Sequence, residues 1–191
     1  LGVEPDAWRR LDGQERQDAR AAYGIAPQAS VVLAFGRISH SSKMDLLPFC
    51  RAAQRLKMAK VDVSSLVLVV AGWTEDADDD CQALLTGLAA NAGLRLAFVR
   101  RPSEASKQRL FGLADAFVSL ADNPQETFGL TLLEAMAASL PVIASDYDGY
   151  RDLVTPGRTG WLLPTTGLPD LPGRDVLAPL CYDNHTHLRL A

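Results

Sequence analysis

Residues 66 to 71, Leu-Val-Leu-Val-Val-Ala, carry no polar side chain. A strand with one wet face alternates polar and apolar residues, so an unbroken apolar run is covered on both sides. Strands of this kind belong to parallel sheets with helices packed above and below. The rest of the chain keeps the same rhythm. Strands are read over 31–35, 94–99, 116–120, 141–145 and 160–163. Helices are read over 14–23, 44–59, 76–92, 104–114 and 130–138, with a short helical turn at 150–154. Ser103 stands where it can cap the helix from Glu104, and Gly93 where it can stop the one before it. The alternation predicts a doubly wound, Rossmann-like α/β domain on a parallel sheet. Ligands in such sheets bind outside the carboxyl ends of the strands, which singles out the loops 36–43, 72–75 and 121–129.

The 191 residues are enough for one domain with a sizeable core. Residues 1–24 read as a polar lead-in between domains, 25–164 as the binding domain, and 165–191 as a loop and the start of a further helix. Leu1 is not an initiator methionine, so the chain is expected to be a piece of a longer protein. A net charge of −4 speaks against a nucleic-acid binder. The longest apolar run, 66–73, is far too short to span a bilayer. Cys50, Cys81 and Cys181 are odd in number and far apart, which suits reduced thiols in a cytoplasmic setting. Cys50 and Cys81 fall on helices and are expected in or near the core. His185 and His187 lack companions for a metal set, and no metal site is expected.

The segment 126–134, Glu-Thr-Phe-Gly-Leu-Thr-Leu-Leu-Glu, carries the chemistry. It joins the strand at 116–120 to the helix from Leu130, with Gly129 at the junction. The first N–H groups of a helix have no internal partners, and the helix dipole favours an anion there. Gly129 has no Cβ, so a phosphate can approach the backbone closely. Glu134, about one turn into the helix, is placed to accept hydrogen bonds from hydroxyls. Anion donors beside two hydroxyl-accepting carboxylates, Glu126 and Glu134, suit a sugar nucleotide.

Five blocks in order then resemble the donor-binding, C-terminal domain of retaining nucleotide-sugar glycosyltransferases of GT-B architecture, the group 1 or family 4 type. They are Phe35-Gly36-Arg37-Ile38 with Lys43, Leu68 to Gly72, Glu126 to Glu134 with Ala135-Met136-Ala137, Pro141 to Gly149, and Gly157 to Leu162. The resemblance implies one half of a GT-B fold. It implies that Arg37 and Lys43 hold the donor pyrophosphate and offset the leaving-group charge, and that Glu126 contacts the transferred sugar. These three form the expected catalytic set. Gly36, Phe128, Gly129, Leu130 and Thr131 would line the donor site, and Glu134 would accept from the ribose hydroxyls. The partner implied is a nucleoside-diphosphate sugar, used as donor substrate, with no cofactor and no metal. An acceptor domain would precede Leu1, so this chain alone is expected to bind nucleotide and turn over poorly. Peripheral membrane association of a full protein fits the same family. Two departures stand out: His40-Ser41-Ser42 lengthens the Arg37 to Lys43 gap, and Trp73-Thr74-Glu75 follows Gly72 in place of a further glycine and proline.

A non-catalytic nucleotide-sugar-binding or regulatory module of the same fold is the alternative reading. Arg100, Arg101, Lys107 and Arg109 are read as a solvated basic face, with an acceptor or anionic-lipid role left open. Asp146 and Asp148 are read as loop-capping residues, and Gly149, Gly157 and Gly160 as turn residues.

Overall fold

The apolar run at 66–71 does become a strand buried on both faces. A computed structural model describes residues 2–37, 44–73, 79–121 and 128–165. In β2 (Leu66–Trp73) every residue from Val67 to Gly72 is buried. It lies between β1 (Ser30–Arg37) and β3 (Arg95–Arg100), parallel to both. β4 (Ala116–Ser119), β5 (Val142–Ser145) and β6 (Gly160–Leu163) extend the sheet from the other side of β1. The order is β3-β2-β1-β4-β5-β6, and every pairing is parallel.

The helices α1 (Gly13–Ala22), α2 (Leu47–Met58), α3 (Asp79–Ala92), α4 (Glu104–Leu113), α5 (Leu130–Ala137) and α6 (Tyr150–Leu153) divide between the two faces. Strand β1 shows why. Its Val31, Leu33 and Phe35 enter a core shared with Leu110 and Phe111 of α4 and Leu132 of α5. Its Val32 and Ala34 enter the opposite core, with Cys50 of α2 and Cys81 and Leu85 of α3. A period of two, apolar on both faces, is what a central strand in a three-layer domain requires. The doubly wound reading holds, and Cys50 and Cys81 are buried as expected, neither of them in a disulfide.

Element ends moved where local chemistry intervened. The helix read from residue 44 starts at Leu47, because Pro48 fits only a first helical turn and the Asp45 carboxylate accepts the Leu47 N–H at 2.8 Å. Ser103 does cap α4, accepting the Ser106 N–H at 3.2 Å. The sequence-read loop and helix at 165–191 lie outside the described residues, apart from Thr165.

Residues 2–24 pack onto this domain. Trp8 meets Phe111 edge-on with ring centroids 5.0 Å apart, and the Leu11 N–H bonds to the Gly112 carbonyl at 2.9 Å. Arg20 is 3% exposed, yet its guanidinium is fully engaged. It donates to the carbonyls of Pro27, Ala29 and Leu113 and to the Asp115 carboxylate at 2.7 Å. Arg16 and Arg10 reach the other oxygen of Asp115, and the Val31 N–H also donates to the carboxylate. Burial pushes Asp115 upward, but the Val31 N–H and the arginines outweigh it and hold the carboxyl below the usual range. This network sits at the amino ends of β1 and β4, opposite the ligand-binding ends.

Candidate functional site

From β1 the chain winds outward to β2 and β3, then returns to the other side of β1 for β4, β5 and β6. The reversal makes a switch point between β1 and β4. Their pairing stops at Leu33 and Phe117, while β1 runs on to Arg37 and β4 to Ser119. A crevice therefore opens at the carboxyl ends of these two strands, the place where open α/β sheets bind ligands.

Glycine shapes the crevice walls twice. Gly36 and Gly72 stand opposite each other at the ends of β1 and β2. A Cβ on Gly72, whose φ is +140°, would fall 1.7 Å from the Gly36 carbonyl oxygen. The strand ends approach this closely only because Gly72 lacks a side chain; a Cβ on Gly36 would meet nothing within 4 Å. Arg37 follows directly and is half-buried; opposite it, Trp73 is exposed. Gly129 is the second case. It caps α5 in the left-handed conformation, φ +73° and ψ 44°. Its carbonyl accepts the Leu132 N–H at 2.9 Å and the Leu133 N–H at 3.3 Å. The N–H groups of Leu130 and Thr131 precede these first helical bonds, in the position that suits an anion.

Tyr150 fixes that helix start, a role the sequence did not disclose. Its side chain is 1% exposed, and its hydroxyl lies 2.7 Å from Ser119 Oγ at the end of β4. A Cβ on Gly129 would come within 2.8 Å of Tyr150 Cε1. One ring thus ties the end of β4 to the start of α5, and it requires glycine between them. Phe128 and Leu130 are partly exposed on either side of Gly129, with Thr131 half-buried behind them.

Glu134 sits on the fifth residue of α5 and turns toward α4. Its Oε1 accepts from Lys107 Nζ at 2.6 Å, and the two side chains are only 13% and 17% exposed. Its Oε2 is buried with no partner among the described residues. Burial pushes the Glu134 carboxyl above its ordinary value, and Lys107 offsets that only in part. The Lys107 ammonium lies 5.0 Å from the Trp8 ring and 5.3 Å from the Phe35 ring. Phe35 directly precedes Gly36-Arg37, so the ion pair lies beneath the carboxyl end of β1. This corrects the reading of Lys107 as part of a solvated basic face. Arg101 and Arg109 are exposed as expected, and Arg100 is exposed and held by Gln82.

The structure therefore brings Gly36, Arg37, Phe128, Gly129, Leu130, Thr131 and Glu134 to the strand ends flanking the crevice. Lys43, Glu126 and His40 lie outside the described residues. Asp146 pairs with Arg151 at 2.6 Å on the surface, in keeping with a loop-capping role. Gly157 turns the chain at φ +73° and donates to the Gly160 carbonyl. Among the described residues no group of histidine, cysteine and carboxylate side chains gathers as a metal site, and no helix is long and apolar enough to cross a membrane.

The sequence and the fold have known counterparts. The model of the family described as "Glycosyl transferases group 1" matches residues 15–170. The chain is 33% identical over 163 residues to the D-inositol 3-phosphate glycosyltransferase of Streptomyces avermitilis, covering 85% of this chain and 34% of that protein. It is 33% identical over 178 residues to the phosphatidyl-myo-inositol mannosyltransferase of Mycobacterium tuberculosis, covering 89% of this chain and 40% of that one. It thus spans between a third and two-fifths of the length of these relatives. The C-terminal domain of the group 1 glycosyl transferase LpcC from Francisella tularensis has the same fold, with a TM-score of 0.68 at 24% identity over 99% of this chain and 92% of that one. Anabaena HepE, solved with UDP and glucose, aligns with a TM-score of 0.68 at 20% identity over 97% of this chain and 47% of its own. By sequence and by fold, this chain belongs to the group 1 glycosyl transferases.

Proposed function

We propose that this domain binds the donor of a retaining glycosyltransferase, a nucleoside-diphosphate sugar, in the crevice between β1 and β4. The observation that carries the proposal is Glu134: a buried carboxylate near the carboxyl end of β1 with one oxygen held by Lys107 and the other buried without a partner among the described residues. A buried acceptor without a donor is costly, and a ligand hydroxyl would satisfy it. The start of α5 at Gly129 adds N–H groups for the pyrophosphate, with Phe128, Leu130 and Thr131 around it. Arg37, with Lys43 and the Gly36 backbone, would hold the same pyrophosphate from the β1 side. In the reaction the bond from the anomeric carbon to the diphosphate oxygen breaks with its electron pair leaving on the diphosphate, an acceptor oxygen bonds to that carbon on the same face, and the acceptor's proton passes to the departing diphosphate. Negative charge grows on the departing diphosphate. Fixed cations and helix N–H groups stabilise that charge more in the transition state than in the ground state. Glu126 would hold hydroxyls of the moving sugar, a hexose in this reading.

Solved relatives lend support: HepE has been solved with UDP and with UDP-glucose. The acceptor half belongs to the part of such a protein that this chain does not cover. On this reading the chain alone binds nucleotide and transfers sugar poorly, and a full enzyme works in the cytoplasm, in peripheral contact with a membrane.

Calorimetric titration with UDP, GDP and ADP, without added metal, tests the reading. One nucleotide should bind selectively to the wild type, and Glu134→Ala should weaken it by about 10–100-fold, the worth of hydrogen bonds to a charged acceptor. Equal binding to wild type and variant would remove Glu134 from the site.

A further inference from the structure

We infer that Lys107 is the positioning residue of the donor site: it holds one oxygen of the Glu134 carboxylate and leaves Oε2 as the acceptor for the ribose hydroxyls. The inference rests on the donor-site reading above and adds a residue to it from outside the strand-end loops.

The geometry argues in three steps. Lys107 Nζ holds Oε1 at 2.6 Å, which takes up that oxygen and leaves Oε2, buried and unbonded among the described residues, as the remaining acceptor. Lys107 is itself held, because its ammonium is confined by the rings of Trp8 and Phe35 at 5.0 and 5.3 Å. Four separate stretches of chain meet here: the lead-in residues, β1, α4 and α5. Such convergence pre-organises an acceptor, so that less is lost when a hydroxyl binds.

Charge matters as well as orientation. Glu134 is buried, and Glu104, one turn earlier on α4, opposes its ionisation. Lys107 is the cation that counters both. An ionised carboxylate accepts a hydroxyl hydrogen bond roughly twice as strongly as a neutral group does. A lysine serving only to fill space between α4 and α5 would not need a carboxylate partner whose second oxygen stays unbonded.

The experiment compares a nucleoside diphosphate with its 2′,3′-dideoxy counterpart, using the nucleotide that the chain binds best. Wild type should favour the ribose form by about tenfold or more. Lys107→Met should lose about tenfold in affinity for the ribose form while its affinity for the dideoxy form stays within about twofold. Lys107→Arg, which keeps the charge, should restore most of the preference. Should Lys107→Met unfold on warming, Lys107→Gln titrated in the cold keeps the volume and a donor without the charge, and should give an intermediate loss. A ribose preference that survives Lys107→Met overturns the inference. So does an equal loss for both nucleotides, which would mean a purely structural lysine. The donor-site reading fails in a different pattern: wild type binds neither nucleotide, or binds both alike, and the Lys107 inference then falls with it.

Discussion

Replacing Gly129 with alanine tests how the helix start at the site is built. Two costs can be read from the geometry. Alanine in the left-handed conformation that Gly129 adopts, φ +73°, costs about 1–2 kcal/mol. The new methyl would lie 2.8 Å from Cε1 of Tyr150, a ring that is 1% exposed and cannot swing into solvent. Overpacking of that kind costs about 1–3 kcal/mol. Together they predict a loss of about 2–5 kcal/mol. For a domain of this size, each kcal/mol lowers Tm by about 2–4 °C, so the variant should melt about 4–20 °C early. Urea unfolding followed by far-ultraviolet circular dichroism gives the free energy. A second background separates the two costs. In Tyr150→Leu the clash is relieved, and Gly129→Ala should cost only the conformational part, about 1–2 kcal/mol. Equal costs in both backgrounds, or a Gly129→Ala variant within about 0.5 kcal/mol of wild type, would refute the reasoning.

Two further perturbations address the supports of the site. Tyr150→Phe removes the hydroxyl 2.7 Å from Ser119 Oγ and leaves that buried oxygen unpaired; urea unfolding should show a loss of about 1–3 kcal/mol, most of it recovered by adding Ser119→Ala. Asp115→Asn removes the anion facing Arg20, whose side chain is 4% exposed. The loss at neutral pH should be about 2 kcal/mol, less than for a fully buried pair because Asp115 keeps a third of its side chain in solvent. Its folded-state carboxyl is held below the unfolded value, so its contribution is complete at neutral pH and fades as pH falls through the carboxylate range. The gap between wild type and Asp115→Asn in urea unfolding should therefore narrow as pH falls through and below the carboxylate range, and a gap of constant size would contradict the network.

Some of this was legible in one dimension and some was not. The six apolar residues from Leu66 could only be a strand covered on both faces, and the alternation around them dictated a parallel, doubly wound sheet. The anion-suited start of α5 was legible because glycine, helix and carboxylate are neighbours in sequence. Helix ends were less so, as when Pro48 and Asp45 together delayed α2. The contacts that hold the site were not legible. Lys107 and Glu134 are 27 residues apart, and Ser119 and Tyr150 are 31 apart. No periodicity links them, because each pair forms only after two elements dock on the sheet. Lys107 also sits among arginines, a context that points to a solvated face; only the packing of Trp8 against α4 draws it inward.

The central claim is that a nucleoside diphosphate sits between the end of β1 and the start of α5. Amide chemical-shift mapping on the isotope-labelled chain, titrated with the nucleotide it binds best, tests this most directly. The account predicts that the largest shifts fall on Gly36, Arg37, Gly129, Leu130 and Thr131, with Glu134 and Lys107 close behind. Shifts gathered instead in the hollow lined by Met136, Ser139, Pro141 and Arg158, or in the one lined by Ala7, Arg9 and Arg109, would contradict it.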